Sequence, residues 1–228
     1  MSLIEPSASR GQHARYSPSK VSWIRYDEET CVDSYHNENR ATIGTYVHLW
    51  AGIQVQLRQK CSSLRDISKS VRTLIFLQNF SERYGLSDTG KVLINEMSSI
   101  PSEVFSTVKA YVNDCISFMM EPEKELIFSD NCFGTCDSFA FDKSEKLLRI
   151  FDLKTGKTKP KIEQLLIYAA LWCLIENADP IDISFDLRIY QNDEVAFAAP
   201  TAEEIREIMN QIIFVDKVAS KLQKGGIV

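Results

Sequence analysis

The spacing of apolar positions changes character near Glu121. Upstream of it, apolar residues recur at helical intervals. Val47, Leu49, Trp50, Ile53 and Leu57 predict a helix from Thr42 to about Cys61, and further helices are predicted over 64–82, 88–98 and 102–120. In the last of these, Pro101 stands at the start and Val104, Phe105, Val108, Tyr111 and Val112 form the stripe. Ser17-Pro18-Ser19 reads as an earlier helix start, with Val21, Trp23 and Ile24 as a short apolar face. Residues 1–16 read as a flexible arm, and Asp27 to Asn39 as a polar stretch between elements.

Downstream, the period shortens to two. Glu125-Leu-Ile-Phe is a strand, and Asp130-Asn131 a turn. From Phe133 to Phe141, Phe133, Thr135, Asp137, Phe139 and Phe141 alternate with small residues. After a turn at 142–146, Leu147 to Lys154 is apolar on both faces, which predicts a central strand. An apolar helix follows over Lys161 to Asn177, then a hairpin of Ile183 to Tyr190 and Val195 to Ala199 around Asn192-Asp193. Thr201 and Glu204 form a capping box that opens a C-terminal amphipathic helix. The fold class expected is α/β (α+β): a mixed central sheet flanked by helices, with a helical N-terminal half. Residues 17–228 are read as one domain, with 17–120 its helical part and 121–228 its sheet core.

Composition narrows the class. With 44% hydrophobic and 25% charged residues, the chain has the balance of a soluble globular protein. The longest apolar run, Leu165 to Ile175, falls short of the roughly 20 residues a membrane helix needs, so no membrane partner is expected. The polar N-terminal decapeptide lacks the apolar core of a secretory signal, and a cytoplasmic location is expected. The six cysteines then read as free thiols, because Cys132 and Cys136 have neither a second close pair nor a nearby His to complete a zinc set. A net charge of −5 argues against a surface that grips nucleic acid all over.

Candidate chemistry centres on Asp152-Leu-Lys154. Residues two apart in a strand project from one face, so a carboxylate and an ammonium emerge together where Thr155-Gly156 ends the strand, open to a ligand. Hard divalent cations take carboxylates, backbone carbonyls and phosphate oxygens, so Asp152 and the Leu153 carbonyl are candidate ligands. Lys154 could orient a water or offset developing charge on phosphorus. A surface ion pair is the plainer alternative, since acid-x-Lys triplets arise about twice by chance in such a chain, yet here this is the only one. Asp137 lies in the preceding strand among phenylalanines, and pairing through the 142–146 turn would bring it near Asp152. Gln164 and Tyr168 are one helical turn apart, where a core amide bonded to backbone is the alternative. His48 stands on the early helix, where a structural His is the alternative to a ligand.

In chain order, Gly44-x-x-x-His48, Gly134-x-x-Asp137, Ile150-Phe-Asp152-Leu-Lys154-Thr-Gly156 and Gln164-x-x-x-Tyr168 resemble the PD-(D/E)XK nuclease superfamily. The likeness is to its RecB-like branch, which includes phage exonucleases related to lambda exonuclease. The resemblance implies a restriction-endonuclease-like core and Mg²⁺- or Mn²⁺-dependent hydrolysis of phosphodiester bonds in DNA. It implies that His48, Asp137, Asp152 and the Leu153 carbonyl bind metal, that Lys154 is the catalytic lysine, and that Gln164 and Tyr168 steady Lys154, the metal shell or the scissile phosphate. A further acid from the first strand would be Glu121, Glu123 or Glu125, which share strand parity. The C-terminal cysteine cluster of the iron–sulfur members is missing from the chain.

The activity so implied is an exonuclease at double-stranded ends in phage recombination or replication, in the host cytoplasm. A recombination or single-strand-binding protein, and a second copy of the chain, are further partners on this reading. A structure-specific endonuclease and a non-catalytic nucleic-acid-binding or assembly protein are the competing readings. The acidic net charge is compatible with DNA if the chain holds it locally. Lys154, Lys157, Lys159 and Lys161 gather beside the site, and Arg58, Lys60, Arg65, Lys69 and Arg72 lie on the helical half.

Overall fold

The computed structural model describes residues 21–223 and 225; the expected arm and the Ser17-Pro18-Ser19 helix start lie outside them. A 3-10 turn at Val21–Arg25 leads into α1, Glu28–Gln56. This helix begins fourteen residues before the expected Thr42, taking in most of the stretch read as a polar connection. The polar residues themselves explain it. Asp27 caps the helix by accepting from the Thr30 N–H at 2.8 Å, and Glu28 and Glu29 sit in the first turn, where carboxylates oppose the helix dipole favourably. One helical turn beyond mid-stretch, His36 Nδ1 lies 2.9 Å from Glu96 and Arg40 Nε 3.9 Å from it, so polar contacts hold this half where apolar ones are few.

α2 (Leu64–Asn79) opens on a Ser63 cap. It ends three residues before the expected 82, because Phe80–Ser81 (β1) pairs with Gly85–Leu86 (β2) in a small antiparallel ladder that the apolar pattern did not announce. α3 (Asp88–Glu96) is capped by Ser87, and α4 (Ser102–Ser117) follows Pro101. The sheet comprises β3 (Glu121–Ser129), β4 (Cys132–Asp142), β5 (Leu147–Leu153), β6 (Ser184–Gln191) and β7 (Glu194–Ala198). α5 (Glu163–Glu176) links β5 to β6, and α6 (Ala202–Gln223) starts at the expected box, with Thr201 N–H donating to Glu204 Oε2 at 2.7 Å.

Strand order follows the chain, β3-β4-β5-β6-β7, with β5 and β6 parallel and the other pairs antiparallel. This is the expected mixed sheet flanked by helices. β5 is central and buried on both sides, as its two apolar faces require. Phe151 and Leu153 pack with α1, α2 and α4, whereas Leu148 and Ile150 pack with α5 and α6. Asp152 therefore emerges on a strand held from both faces.

A carboxylate cluster where two strands part

The β4–β5 ladder ends at Ser138 opposite Phe151. Continued by one position, the register sets Asp137 opposite Asp152. On the other side, Pro122 opposite Ser138 and Lys124 opposite Cys136 bracket Glu123 and Asp137. Glu123, Asp137 and Asp152 thus fall in one row across three strands. Here side chains replace the ladder: Asp137 Oδ2 accepts the Leu153 N–H at 2.9 Å. The strands part, and carboxylates occupy the fork.

Helix α1 crosses this fork because of a glycine. A Cβ on Gly44 would lie 2.6 Å from Thr155 Oγ1, so any larger residue would push the threonine hydroxyl aside where the helix meets the segment after β5. His48, one turn along the same face, then has its Nδ1 3.5 Å from Asp137 Oδ2. Gly134 plays the matching part on β4: a Cβ there would stand 2.9 Å from Tyr168 Cε1. The Tyr168 ring lies in that space and its hydroxyl donates to the Thr135 carbonyl at 2.7 Å. The Gly-x-x-x-His and Gly-x-x-Asp spacings thus mark two close approaches.

Lys154 Nζ sits 3.0 Å and 2.9 Å from the two Asp152 carboxylate oxygens and donates to Gln164 Oε1 at 3.3 Å. Gln164 Nε2 donates to the Tyr168 hydroxyl at 3.4 Å. A circuit therefore runs from Asp152 through Lys154, Gln164 and Tyr168 back to the β4 backbone at Thr135. Gln164 is exposed, which excludes the core-amide alternative, and Asp152–Lys154 is no surface pair because the Asp152 side chain is only 4% exposed. That burial corrects the expectation of an open carboxylate: Lys154, one-third exposed, covers it.

Burial drives the Asp152 pKa up to about 6; the Asp137 charge adds to the rise, and Lys154 and His48 oppose it. The Glu123 pKa is also raised, by burial first and then by Asp137, with His48 opposing. This selects among the three acids of the first strand. Glu123 faces Asp137 and His48, with its backbone in the left-handed region at φ 51°. Glu121 pairs instead with Lys124 at 3.2 Å, and Glu121 and Glu125 line a separate cavity of about 1010 Å³ beside Phe139 and Trp172. Equal parity did not mean an equal environment.

One further expectation changes in part. Asp137 keeps the parity of the exposed Phe133 but does not share a face with Phe139 and Phe141: Cys136 packs in the same core as those two rings, and Asp137 turns toward His48. The irregular stretch of β4 between Cys136 and Phe139 breaks the alternation. Leu153 meets the cluster through its N–H, and its side chain is buried, so its backbone is the part of it that reaches the site.

The donor types, two aspartates, a glutamate and a histidine, suit a hard divalent cation. The electrostatics also fit one, since the Asp137 charge raises the pKa of both Asp152 and Glu123, and the buried Asp152 has Lys154 as its one cationic neighbour within salt-bridge distance among the described residues. Among the described residues, however, no three His, Cys, Asp or Glu side chains are already gathered as a metal-binding group. They pair with Lys154, the Leu153 N–H and one another. Cys136 is not one of the donors: burial pushes its thiol up to about 12, and its Sγ donates to the Lys124 carbonyl. No family model, curated protein or solved structure matches the chain. The contacts of Thr155 with α1 and of the Thr135 carbonyl with Tyr168 escaped the sequence reading. Their sequence signals are Gly44, remote from Thr155 along the chain, and Gly134, next to Thr135 but remote from Tyr168.

Proposed function

We propose that the protein is a Mg²⁺- or Mn²⁺-dependent deoxyribonuclease with a PD-(D/E)XK-type core, acting as an exonuclease on double-stranded DNA ends. One observation carries the reading: α1, β3, β4, β5 and α5 bring His48, Glu123, Asp137, Asp152, Lys154, Gln164 and Tyr168 to one strand fork. A module that only binds nucleic acid has no need of a buried, proton-attracting carboxylate bonded to a lysine. The motif resemblance supports a role in phage recombination or replication.

His48, Glu123, Asp137, Asp152 and the Leu153 carbonyl would hold the cation. When bound, Mg²⁺ or Mn²⁺ supplies a Lewis acid for the phosphate and a bound water of lowered pKa. Hydrolysis joins the water oxygen to phosphorus and breaks the bond to the leaving sugar oxygen, which takes up a proton. Lys154 adds positive charge beside the phosphate oxygens as negative charge builds there. Gln164 holds the ammonium from the side away from Asp152, so that Lys154 keeps its place when the carboxylate turns to a cation. Tyr168, tied to the Thr135 carbonyl, fixes Gln164 in turn.

The test gives linear and closed circular plasmid to the wild type, Asp152→Ala and Lys154→Ala with Mg²⁺ or Mn²⁺. Loss of linear DNA alone, abolished in both variants, is the expected result. Nicking of circles would replace the exonuclease by a structure-specific endonuclease. DNA binding without metal-dependent cleavage by the wild type would refute both and leave a binding or assembly protein.

A further inference from the structure

The segment after Lys154 is held in an unusual way. Gln191, the last residue of β6, is 8% exposed, and its Nε2 donates to the Gly156 carbonyl at 2.5 Å and the Thr158 carbonyl at 2.9 Å. A buried side-chain amide spent on two carbonyls of one loop fixes that loop's path. The loop carries Lys157, Lys159 and Lys161, all exposed. Among the described residues none of the three side chains has an ion pair or hydrogen bond.

The other basic residues near the helical half are differently employed. Arg58 donates to the Met119 and Met120 carbonyls, Lys60 to Ser117 Oγ, and Arg72 to the Ile94 carbonyl and Ser98 Oγ. They close loops and helix ends. Arg65 and Lys69, exposed on α2, are likewise without a side-chain partner among the described residues, but the free cations that follow directly on the proposed catalytic lysine are those of the pinned loop.

Between this loop and α1 lies a cavity of about 680 Å³. Arg40 and Lys157 are among its walls, with Glu103 its one carboxylate, and Gly44 and Thr155 form its border with the carboxylate cluster. Arg40 Nε is buried without a hydrogen-bond partner among the described residues, 3.9 Å from Glu96 Oε1. A hollow beside the fork with Lys157 on one wall and Arg40 on the other, flanked by the loop's free lysines, can take an extended polyanion whose reacting phosphate lies at the fork.

We propose that this cavity and the Lys157–Lys161 loop bind the phosphodiester backbone of the DNA strand next to the scissile bond, with Gln191 as the positioning residue. The inference rests on the nuclease reading, since that reading puts the reacting phosphate beside Lys154. Lys157 and Lys159 contact phosphates from the loop, Arg40 from the helix side. Gln191 touches no DNA; it keeps the loop where its lysines can.

Binding separates this inference from cleavage. A fluorescently labelled DNA duplex is titrated in EDTA, at several salt concentrations, with the wild type, Lys157→Glu/Lys159→Glu, Gln191→Leu and, as a control, Lys143→Glu on the 142–146 turn. The double charge reversal is expected to weaken binding by about tenfold or more, and to make the slope of log K against log salt shallower by about two, one counterion per lost phosphate contact. Gln191→Leu is expected to weaken binding with a shallower slope although no charge has changed, and Lys143→Glu to do neither. Where cleavage is measured, KM rises in the loop variants while kcat holds. An unchanged affinity and salt slope in the folded Lys157→Glu/Lys159→Glu protein overturns the inference, whatever its cleavage activity. These lysines are exposed, so a misfolded Gln191→Leu variant leaves that decision intact. Absence of cleavage by wild type in Mg²⁺ and Mn²⁺ refutes the nuclease reading separately.

Discussion

Replacing Asp152 by asparagine keeps the shape of the side chain and removes the charge that the fold holds at a disadvantage. The carboxylate is 4% exposed and its pKa stands near 6 instead of 3.8. A rise of about two pH units corresponds to about 3 kcal/mol at about 1.4 kcal/mol per unit. Because the pKa is raised in the folded state, folding favours the protonated carboxyl. That contribution is fully present below pH 3.8 and is lost as pH rises through 6. The wild type is thus expected to lose about 3 kcal/mol over this window that Asp152→Asn does not lose. The asparagine oxygen still accepts from Lys154, which at one-third exposed keeps access to water. Urea unfolding in EDTA between pH 4.5 and 8 measures the difference. Asp152→Asn should be the more stable protein at pH 7.5, by up to about 3 kcal/mol, with the gap closing toward pH 4.5. A variant less stable than wild type at pH 7.5, or a gap that does not change with pH, would refute the assignment of a strained buried carboxylate.

The same cluster gives a metal-linked expectation: Mg²⁺ or Mn²⁺ at about 100 times its Kd should stabilise the wild type by about 2.7 kcal/mol in thermal unfolding and leave Asp152→Asn unmoved. Equal shifts in both proteins would place the ion elsewhere. Gly44→Ala sets two effects against each other. Helix propensity alone favours alanine by about 1 kcal/mol, but the new Cβ would meet Thr155 Oγ1 at 2.6 Å, so a lowered melting temperature and weakened cleavage are expected; a raised one would deny the close approach. Tyr168→Phe removes the hydrogen bond to the Thr135 carbonyl and the one from Gln164, and should cost about 1 kcal/mol of stability with a severalfold fall in kcat. Unchanged kinetics would detach Tyr168 from the positioning of Lys154.

What could be read from the sequence was set by contacts near in the chain. The central β5 was legible because Leu148 and Ile150 alternate with Phe151 and Leu153, and such a strand has no face left for water. The Asp152–Lys154 pair was legible because strand geometry alone puts i and i+2 together. The first half of α1 was not, since its partner Glu96 lies 60 residues from His36. The choice of Glu123 over Glu121 and Glu125 was equally closed, because it depends on a positive φ and on a neighbour in β4, neither of which strand parity encodes.

Gly44 and Gly134 entered the sequence reading only as motif positions and Gln191 not at all, yet the three share one physical role: they do no chemistry, and each sets the distance between two elements. A reactive side chain can be recognised by its type, whereas a spacer is recognised only by what it faces. Gly44 brings α1 onto Thr155, Gly134 admits the Tyr168 ring to β4, and Gln191 ties the loop after β5 to the end of β6. All three act on segments that touch the Asp152–Lys154 strand end or its circuit. The fork therefore depends on contacts from both faces of the sheet and from β6, so damage to activity need not begin at a charged residue. A folded spacer variant that keeps every charged group should lose rate or affinity before it loses the fold.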